Sequence, residues 1–311
     1  MTKKKIVISD VKSLNYYGHS IGHYFPLAQN YLDVYGDVCN IQIAGGPIYK
    51  TRFAIEKLFV LPYDVIEGGN SLKNKWYALM NCRFLLKKVD FQDAIVLQHS
   101  GASTAFLGIA LFAKKRNKIY VIQYNTDALS SRLQRLIYKF AKEKIAGFIC
   151  PDDRIGKAYG RPYCIVTDYI YSGVNNGSQS FQLQSSYNEK KYDFAIVGGI
   201  FPDKGVVEVA EHLRGTKYTV LIAGKADTIQ SVKLKEIASL SSNIKLHLGF
   251  VSDKDYYRYI NESRYCILNY RGVYSDRSSG VVLDILFNGS LVVGHRCNAL
   301  QFIKDENVGY L

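Results

Sequence analysis

Residues 193–215 read DFAIVGGIFPDKGVVEVAEHLRG. An apolar run over 193–197 enters Gly198 and Gly199, crosses Pro202, Asp203 and Lys204, and gives way to a helical pattern predicted over 204–214. Val206, Val209, Ala210 and Leu213 fall at i, i+3, i+4 and i+7, one apolar face, and Gly215 is a natural stop. A strand, a glycine-bearing turn and a helix make half of a β-α-β unit. Such a turn can set backbone N–H groups and an ammonium beside a phosphate at the helix N-terminus. It is neither the Gly-Lys-Ser/Thr loop nor the G-x-G-x-x-G fingerprint. As a bare pattern it fits a phosphate contact or an ordinary turn with a solvated lysine.

The same alternation extends in both directions. Downstream, apolar strands are predicted over 218–224, 244–250, 265–270 and 290–295, with helices near 230–240, 253–263 and 279–288. Upstream, strands are predicted over 5–9, 38–44, 94–98, 118–124, 147–150 and 164–170, with helices near 22–35, 72–88, 102–115 and 129–145. Repeated β-α-β units imply parallel sheets. In a chain of 311 residues they divide into two α/β domains with a ligand cleft expected between them. The break falls in residues 172–189, SGVNNGSQSFQLQSSYNE, where thirteen of eighteen residues are Ser, Gly, Asn or Gln, too polar for a packed element. This sets an amino-terminal domain over residues 1–176, a linker over 177–191 and a carboxyl-terminal domain over 192–311.

Composition narrows the class. With 48% hydrophobic and 22% charged residues the chain is neither disordered nor fibrous. Six cysteines without a C-x-x-C pair give no zinc or dithiol motif and fit a reducing, cytoplasmic setting. Lys3, Lys4 and Lys5 precede only three apolar residues, too few for a signal peptide. The uncharged stretch 94–113 carries Gln98, His99, Ser100, Ser103 and Thr104, so it reads as strand, loop and helix rather than a membrane span. The net charge is +13. Residues 1–178 hold 24 basic and 13 acidic side chains, the remainder 16 and 14, so the anion-seeking half is amino-terminal.

A second constellation lies in YSDRSSGVVLDILFNGSLVVG, residues 274–294. Ser278 or Ser279 can cap a helix that is apolar on nearly every side, and Asp284 is its only charge. A buried carboxylate needs donors from the protein or from a ligand. Asp276 stands just before that helix.

Taken in order, these features resemble the carboxyl-terminal half of GT-B glycosyltransferases, most closely those of family 4. VGGIFPDKG resembles Val-Gly-Arg-Leu-x-x-x-Lys-Gly, LIAGKAD the strand ending in Gly-x-Gly, and residues 244–265 the Leu-Gly-x-Val segment; YCILNY matches the next strand. Asp276-x7-Asp284 with Gly289 resembles the Glu-x7-Glu motif and its glycine-containing tail. The resemblance implies two Rossmann-like domains facing across a cleft and the donor site of a nucleotide-diphosphate sugar. Lys204, with the N–H groups of Ser279 and Gly280, is implied at the diphosphate, Asp276 at the transferred sugar, Asp284 at the ribose hydroxyls, and Gly249, Phe250 and Val251 at the base. Gly199 stands where the family carries an arginine, aspartates replace both glutamates, and Leu291 replaces a proline. The sequence ends at Leu311, so the usual final crossover helix is expected to be missing.

The amino-terminal half is similar to the acceptor side of that fold. Gly18, His19 and Gly22 fall in its glycine loop, and His99 follows the strand over 94–98, where the family commonly has a histidine. His19, His23 and His99 also read as ordinary structural or loop residues, as do His212 and His247. The resemblance implies transfer of a sugar to a glycan or lipid-linked acceptor, in cell-surface polysaccharide synthesis. It implies retention and no metal or cofactor, with a UDP-sugar favoured as co-substrate. Asp276 and His99 are the catalytic candidates; an inverting reaction would need a base, and Asp127 or His99 could serve. A catalytically inactive nucleotide-sugar-binding or scaffolding subunit is the alternative. Nucleic acid is not an expected partner, because no binding module accompanies the charge. The segment LQRLIYKFAKEK, residues 133–144, places Leu133, Leu136, Ile137 and Phe140 on one helical face with Arg135, Lys139, Lys142 and Lys144 beside it. It reads equally as a helix packed on its own sheet or as a face for an anionic membrane, with the protein peripheral to the inner leaflet.

Overall fold

The computed structural model describes residues 3–16, 18–20, 24–66, 69–89, 94–97, 103–114, 117–166, 186–272, 275, 279–305 and 307–311. It divides into two compact units, Met1–Asn175 and Asn176–Leu311.

In the first unit the elements are β1 (Lys4–Ser9), β2 (Leu14–Tyr16), β3 (His19–Ser20), α1 (Tyr24–Tyr35), β4 (Cys39–Gly45), β5 (Leu58–Val60), β6 (Val65–Ile66) and α2 (Ser71–Lys88). They continue with β7 (Ala94–Leu97), α3 (Ser103–Phe112), β8 (Lys118–Ile122), α4 (Arg132–Lys142), β9 (Ile145–Cys150), α5 (Asp153–Tyr159) and β10 (Tyr163–Ile165). Seven strands form a parallel sheet in the order β10-β9-β8-β7-β1-β4-β5. Successive side chains of a strand point to opposite faces. Accordingly Val7 and Ile95 enter the cluster around Phe106, Phe148 and Tyr159, while Ile8 and Val96 join Leu27, Ile41 and Ile122 in another. Both faces are covered, which is why these strands read as continuous apolar runs rather than alternating ones.

The second unit contains β11 (Tyr192–Val197), α6 (Val206–Leu213), β12 (Val220–Gly224), α7 (Thr228–Ser239), β13 (Ile244–Leu248) and α8 (Asp253–Asn261). It ends with β14 (Ser263–Leu268), α9 (Gly280–Phe287), β15 (Leu291–Gly294), α10 (Gln301–Asp305) and β16 (Gly309–Tyr310). Its sheet runs β13-β12-β11-β14-β15-β16, all parallel. Val206, Ala210, Leu234 and Ile237 pack in one cluster with strand residues, and Ile260, Ile285, Leu300 and Ile303 in another.

Among the described residues the expected strands and helices are present, with instructive differences; 167–170 of the strand expected over 164–170 lie outside them. The helix predicted over 204–214 begins at Val206, because Pro202–Lys204 form a 3-10 turn and Gly205 is left-handed at φ 55°. The helix over 279–288 is not buried all round: Val282 and Ile285 are buried, but Phe287 is 43% exposed. A three-stranded sheet, β3-β2-β6, was not foreseen, since strands of two or three residues carry no readable periodicity. Helix α5 was also missed, although Asp152 caps it at Ile155 N (2.8 Å) and left-handed Gly160 ends it. Of the expected linker, 177–185 lies outside the described residues. Tyr187–Glu189 forms a 3-10 turn whose Tyr187 hydroxyl meets that of Tyr265 at 2.6 Å. Among the described residues no helix is long and apolar enough to cross a membrane.

One contact fixes how β12 leaves the second sheet. A Cβ on Gly224, whose φ is +154°, would lie 1.7 Å from the Gly198 carbonyl oxygen, so two backbones touch where only hydrogen fits. Gly224→Ala is expected to cost about 2–4 kcal/mol, combining backbone strain with a displaced turn. Gly215→Ala, at φ +69° with nothing within 4 Å of the added atom, should cost only about 1–2 kcal/mol. Urea denaturation of the two variants should separate them in that order.

Candidate functional site

The strand order of the second sheet makes β11 a divergence point: the chain proceeds from it to β12 and β13 on one side and to β14 and β15 on the other. In open parallel sheets the crevice beyond the carboxyl ends at such a point receives ligands. Here those ends are bare backbone. Gly198, Gly224 and Gly249 follow or end β11, β12 and β13, all with positive φ (101°, 154° and 131°). They are tied in sequence by Gly198 N–H to Ala223 O (3.0 Å) and Gly249 N–H to Gly224 O (3.0 Å). A Cβ on Gly198 or Gly249 would meet nothing within 4 Å.

The chain leaving β11 is knitted to the chain leaving β14. Arg271 N–H donates to Asp203 O (2.7 Å), and Asn269 Nδ2 donates to Gly205 O (3.3 Å). A Cβ on Gly205 would come 2.3 Å from Asn269 Nδ2, so glycine is required there for the approach as well as for its φ. Lys204 is held between these segments, its Nζ 5.9 Å from the ring centroids of both Phe201 and Tyr270. It is half-buried, and desolvation pushes its ammonium down to about 8. The Phe201 ring also accounts for Gly199: a Cβ at 199 would lie 2.5 Å from Phe201 Cε2. The room that a side chain at 199 needs is taken by that ring.

Tyr270 is buried, 2% exposed, and its hydroxyl lies 2.7 Å from Ser279 Oγ. Ser279 is the N-cap residue of α9, yet its side chain makes no capping bond to the helix. Tyr270 therefore positions the start of α9 through the Ser279 hydroxyl. One turn further, Asp284 Oδ2 accepts a hydrogen bond from the Tyr256 hydroxyl of α8 (3.0 Å). Burial, then the neighbouring carboxylate, pushes the Tyr256 phenol well above its usual range. The carboxylate that had to find a donor has one from the protein itself.

Of the expected donor-side residues, Gly199, Lys204, Ser279 and Gly280 belong to segments leaving β11 and β14 and to the helix between β14 and β15. Asp284 lies along that helix, and Gly249 is reached through Gly224. Phe250 is 48% exposed, whereas Val251 packs on the second unit's core. Asp276, His99, Gly22 and His23 lie outside the described residues. Gly18 has φ +83° and its N–H donates to Asn15 Oδ1 (2.9 Å); His19 is in β3. Asp127 opens a 3-10 turn, its N–H on Asn125 Oδ1 at 3.0 Å. His212 lies on α6 with Nδ1 2.7 Å from Glu208 O, and His247 pairs with the Tyr259 hydroxyl.

Two features escaped the sequence reading. Arg271 and Arg296, with Ser275, His295 and Asn298, line an open basin of about 430 Å³ at the carboxyl ends of β14 and β15. Only the folded order of strands brings residues 271 and 296 together. In the first unit Asp10 follows β1, the corresponding divergence point, and is 2% exposed. Its carboxylate accepts from Tyr49 Oη (2.9 Å) and Lys12 N (3.0 Å), and burial raises its pKa. An aspartate directly after the apolar strand 5–9 was the available signal. Among the described residues no group of His, Cys, Asp and Glu side chains could hold a metal ion.

No protein-family model matches the sequence, and no curated protein matches it. Solved structures are similar in fold. AviGT4, a glycosyltransferase involved in avilamycin A biosynthesis, superposes with a TM-score of 0.60 at 14% identity, over 96% of this chain and 80% of that one. A UDP-forming α,α-trehalose-phosphate synthase from Burkholderia xenovorans, in complex with glucose-6-phosphate, gives 0.65 at 9% identity, over 99% and 88%. A putative UDP-N-acetylglucosamine 2-epimerase from Listeria monocytogenes gives 0.62 at 11% identity, over 98% and 82%. At these identities the likeness establishes the fold: two Rossmann-like units of the GT-B type.

The lowered Lys204 ammonium supplies a pH test. An anion beside it favours the charged form, so a bound complex holds more protons than the free protein near pH 8. By linkage, affinity for a diphosphate then falls as pH rises through that region, by at most about tenfold per unit. Calorimetry of UDP-hexose binding at about pH 8, in buffers of different ionisation enthalpy, should show uptake of roughly half a proton. Lys204→Met should abolish it.

Proposed function

We propose that this chain is a glycosyltransferase that moves a sugar from a nucleotide-diphosphate sugar, with UDP favoured, to a glycan or lipid-linked acceptor in cell-surface polysaccharide synthesis. The observation that carries the reading is Lys204, desolvated between Phe201 and Tyr270, on a sheet edge where a Cβ at Gly198 or Gly249 would meet nothing within 4 Å. The similar fold of a glycosyltransferase and a UDP-forming synthase supports it.

In this reading Lys204 and the N–H groups of Ser279 and Gly280 hold the diphosphate, whose negative charge grows as the sugar leaves. Asp276 orients the transferred sugar, Asp284 the ribose, and Gly249, Phe250 and Val251 border the base. Gly18, His19, Gly22, His99 and Asp127 belong to the acceptor side. The reaction is retaining and needs no metal: the bond from the anomeric carbon to the diphosphate oxygen breaks, the acceptor oxygen bonds to that carbon, and its proton passes to the departing phosphate. The protein's part is then positioning and electrostatics. Arg271 supplies the positive charge that Gly199 lacks. Its pair with Glu208 is long, 3.4 Å, and half-exposed, and such pairs hold by only about 0–1 kcal/mol, so a phosphate can displace the carboxylate.

The epimerase similarity favours a second reading, in which a nucleotide sugar is bound and altered without transfer to an acceptor. A thermal-shift panel of UDP-, GDP-, ADP- and CMP-sugars with NAD and single-stranded DNA tests the class. Stabilisation by one nucleotide-sugar group alone is expected, and a response only to NAD or DNA would refute it. Analysis of the products then separates a new glycoside from an epimer.

Lys204→Ala should weaken UDP by about 1.5–3 kcal/mol and uridine hardly at all; equal losses would contradict the phosphate role. Gly199→Arg alone should displace Phe201 and lose stability. Combined with Phe201→Ala, it should bind UDP at least about tenfold more tightly than Phe201→Ala alone, the smaller end of a charge-assisted contact.

A further inference from the structure

In α4, RLQRLIYKFAK, the buried side chains are Tyr138 and Ala141, with Ile137 partly buried against the same core. Leu133, Leu136 and Phe140 point elsewhere and are 67%, 50% and 66% exposed. They sit at i, i+3 and i+7, so they form one continuous stripe beside the core-facing side. Arg132, Arg135, Lys139 and Lys142 occupy the remaining arc, and the helix contains no acidic residue. The sequence reading left this helix between packing on its own sheet and facing a membrane. In the fold one side packs on the core, and the apolar stripe faces solvent.

The stripe is held rigidly in place. Ser131 and Gln134 form a capping box at its start, and the Tyr138 hydroxyl donates to Tyr159 O. The Phe106 and Tyr138 rings lie 5.1 Å apart by their centroids. The helix is therefore anchored from below, and no large side-chain ordering is needed when its outer side meets a surface.

We infer that α4 docks the protein on an anionic lipid surface, with Leu133, Leu136 and Phe140 entering the headgroup boundary and the four cations meeting lipid phosphates. Charge complementarity selects this occupant. An all-cationic arc beside an apolar stripe is what an interfacial helix requires. Each cation near such a surface adds attraction that salt removes. The first 178 residues carry 24 basic against 13 acidic side chains, so the wider surface acts with the helix. The inference does not depend on the glycosyltransferase reading, since it uses no donor and no residue of the second unit.

Co-sedimentation of the whole protein with phosphatidylcholine vesicles, with and without phosphatidylglycerol, tests it. Binding is expected only to the anionic vesicles, with release at high salt. Leu136→Ser combined with Phe140→Ser should lower the partition coefficient about tenfold or more, as should Arg132→Glu combined with Lys139→Glu. All four positions are on the outer side, so circular dichroism and the melting temperature should stay as in the unmodified protein. Leu240→Ser, at a residue 65% exposed on the second unit, should bind as before. Absent binding, binding that high salt leaves unchanged, or equal binding by the double variants would overturn the proposal. So would lipid-free self-association, seen by light scattering, that Phe140→Ser abolishes, because the stripe would then be covered by a second copy.

Discussion

The two strands beside β11 are reached by chains that leave in opposite directions, and the second unit's chemistry depends on that divergence. Because β12 and β14 both pair with β11 in parallel, their outgoing segments flank its carboxyl end and are bonded to the segment that leaves it. The close approach of these segments depends on glycine. Gly224 touches the Gly198 carbonyl, and Gly205 lies against Asn269. Larger residues at these points would push apart the segments that place Lys204. The cost of the arrangement is conformational: left-handed backbone at 198, 205, 224 and 249 is kept in one geometry by hydrogen bonds between strand ends.

Polar and aromatic groups then exploit this bare edge. Tyr270 has a double use, with its ring beside Lys204 and its hydroxyl on Ser279. It couples the loop after β11 to the start of α9. Phe201 is the other ring beside the lysine, and it closes the space at Gly199. Desolvation lowers the Lys204 ammonium to about 8, and an anion brought beside it would favour its charged form.

Much of this was legible in the sequence, because parallel sheets covered on both faces announce themselves as short apolar runs separated by helical patterns. β11, β12 and β13 are such runs, and the Val206-Val209-Ala210-Leu213 pattern located α6. The motif 193–215 runs from β11 through a 3-10 turn into α6. What the sequence could not show is proximity between segments far apart in the chain. Arg271 and Arg296 meet only through the pairing of β14 with β15, and Tyr256 reaches Asp284 only through the packing of α8 on α9. Asp284 on an apolar helix implied a buried charge; its donor was not inferable. The three-residue β2 and two-residue β3 fell below the length at which periodicity has meaning. For α4, amphipathicity was plain, but only the fold separates the side that Tyr138 and Ala141 bury from the side that Leu133 and Phe140 expose.

The central claim is that a nucleotide-diphosphate sugar sits on the carboxyl edge of the second sheet. Amide hydrogen exchange with and without a UDP-hexose tests it most directly, since the contacts proposed there are largely to backbone. The account predicts new protection at Gly198, Gly199, Lys204, Gly249, Ser279 and Gly280, with little change on the outer helices of the same unit. Protection confined to the first unit, or none at saturating UDP-hexose, would contradict it.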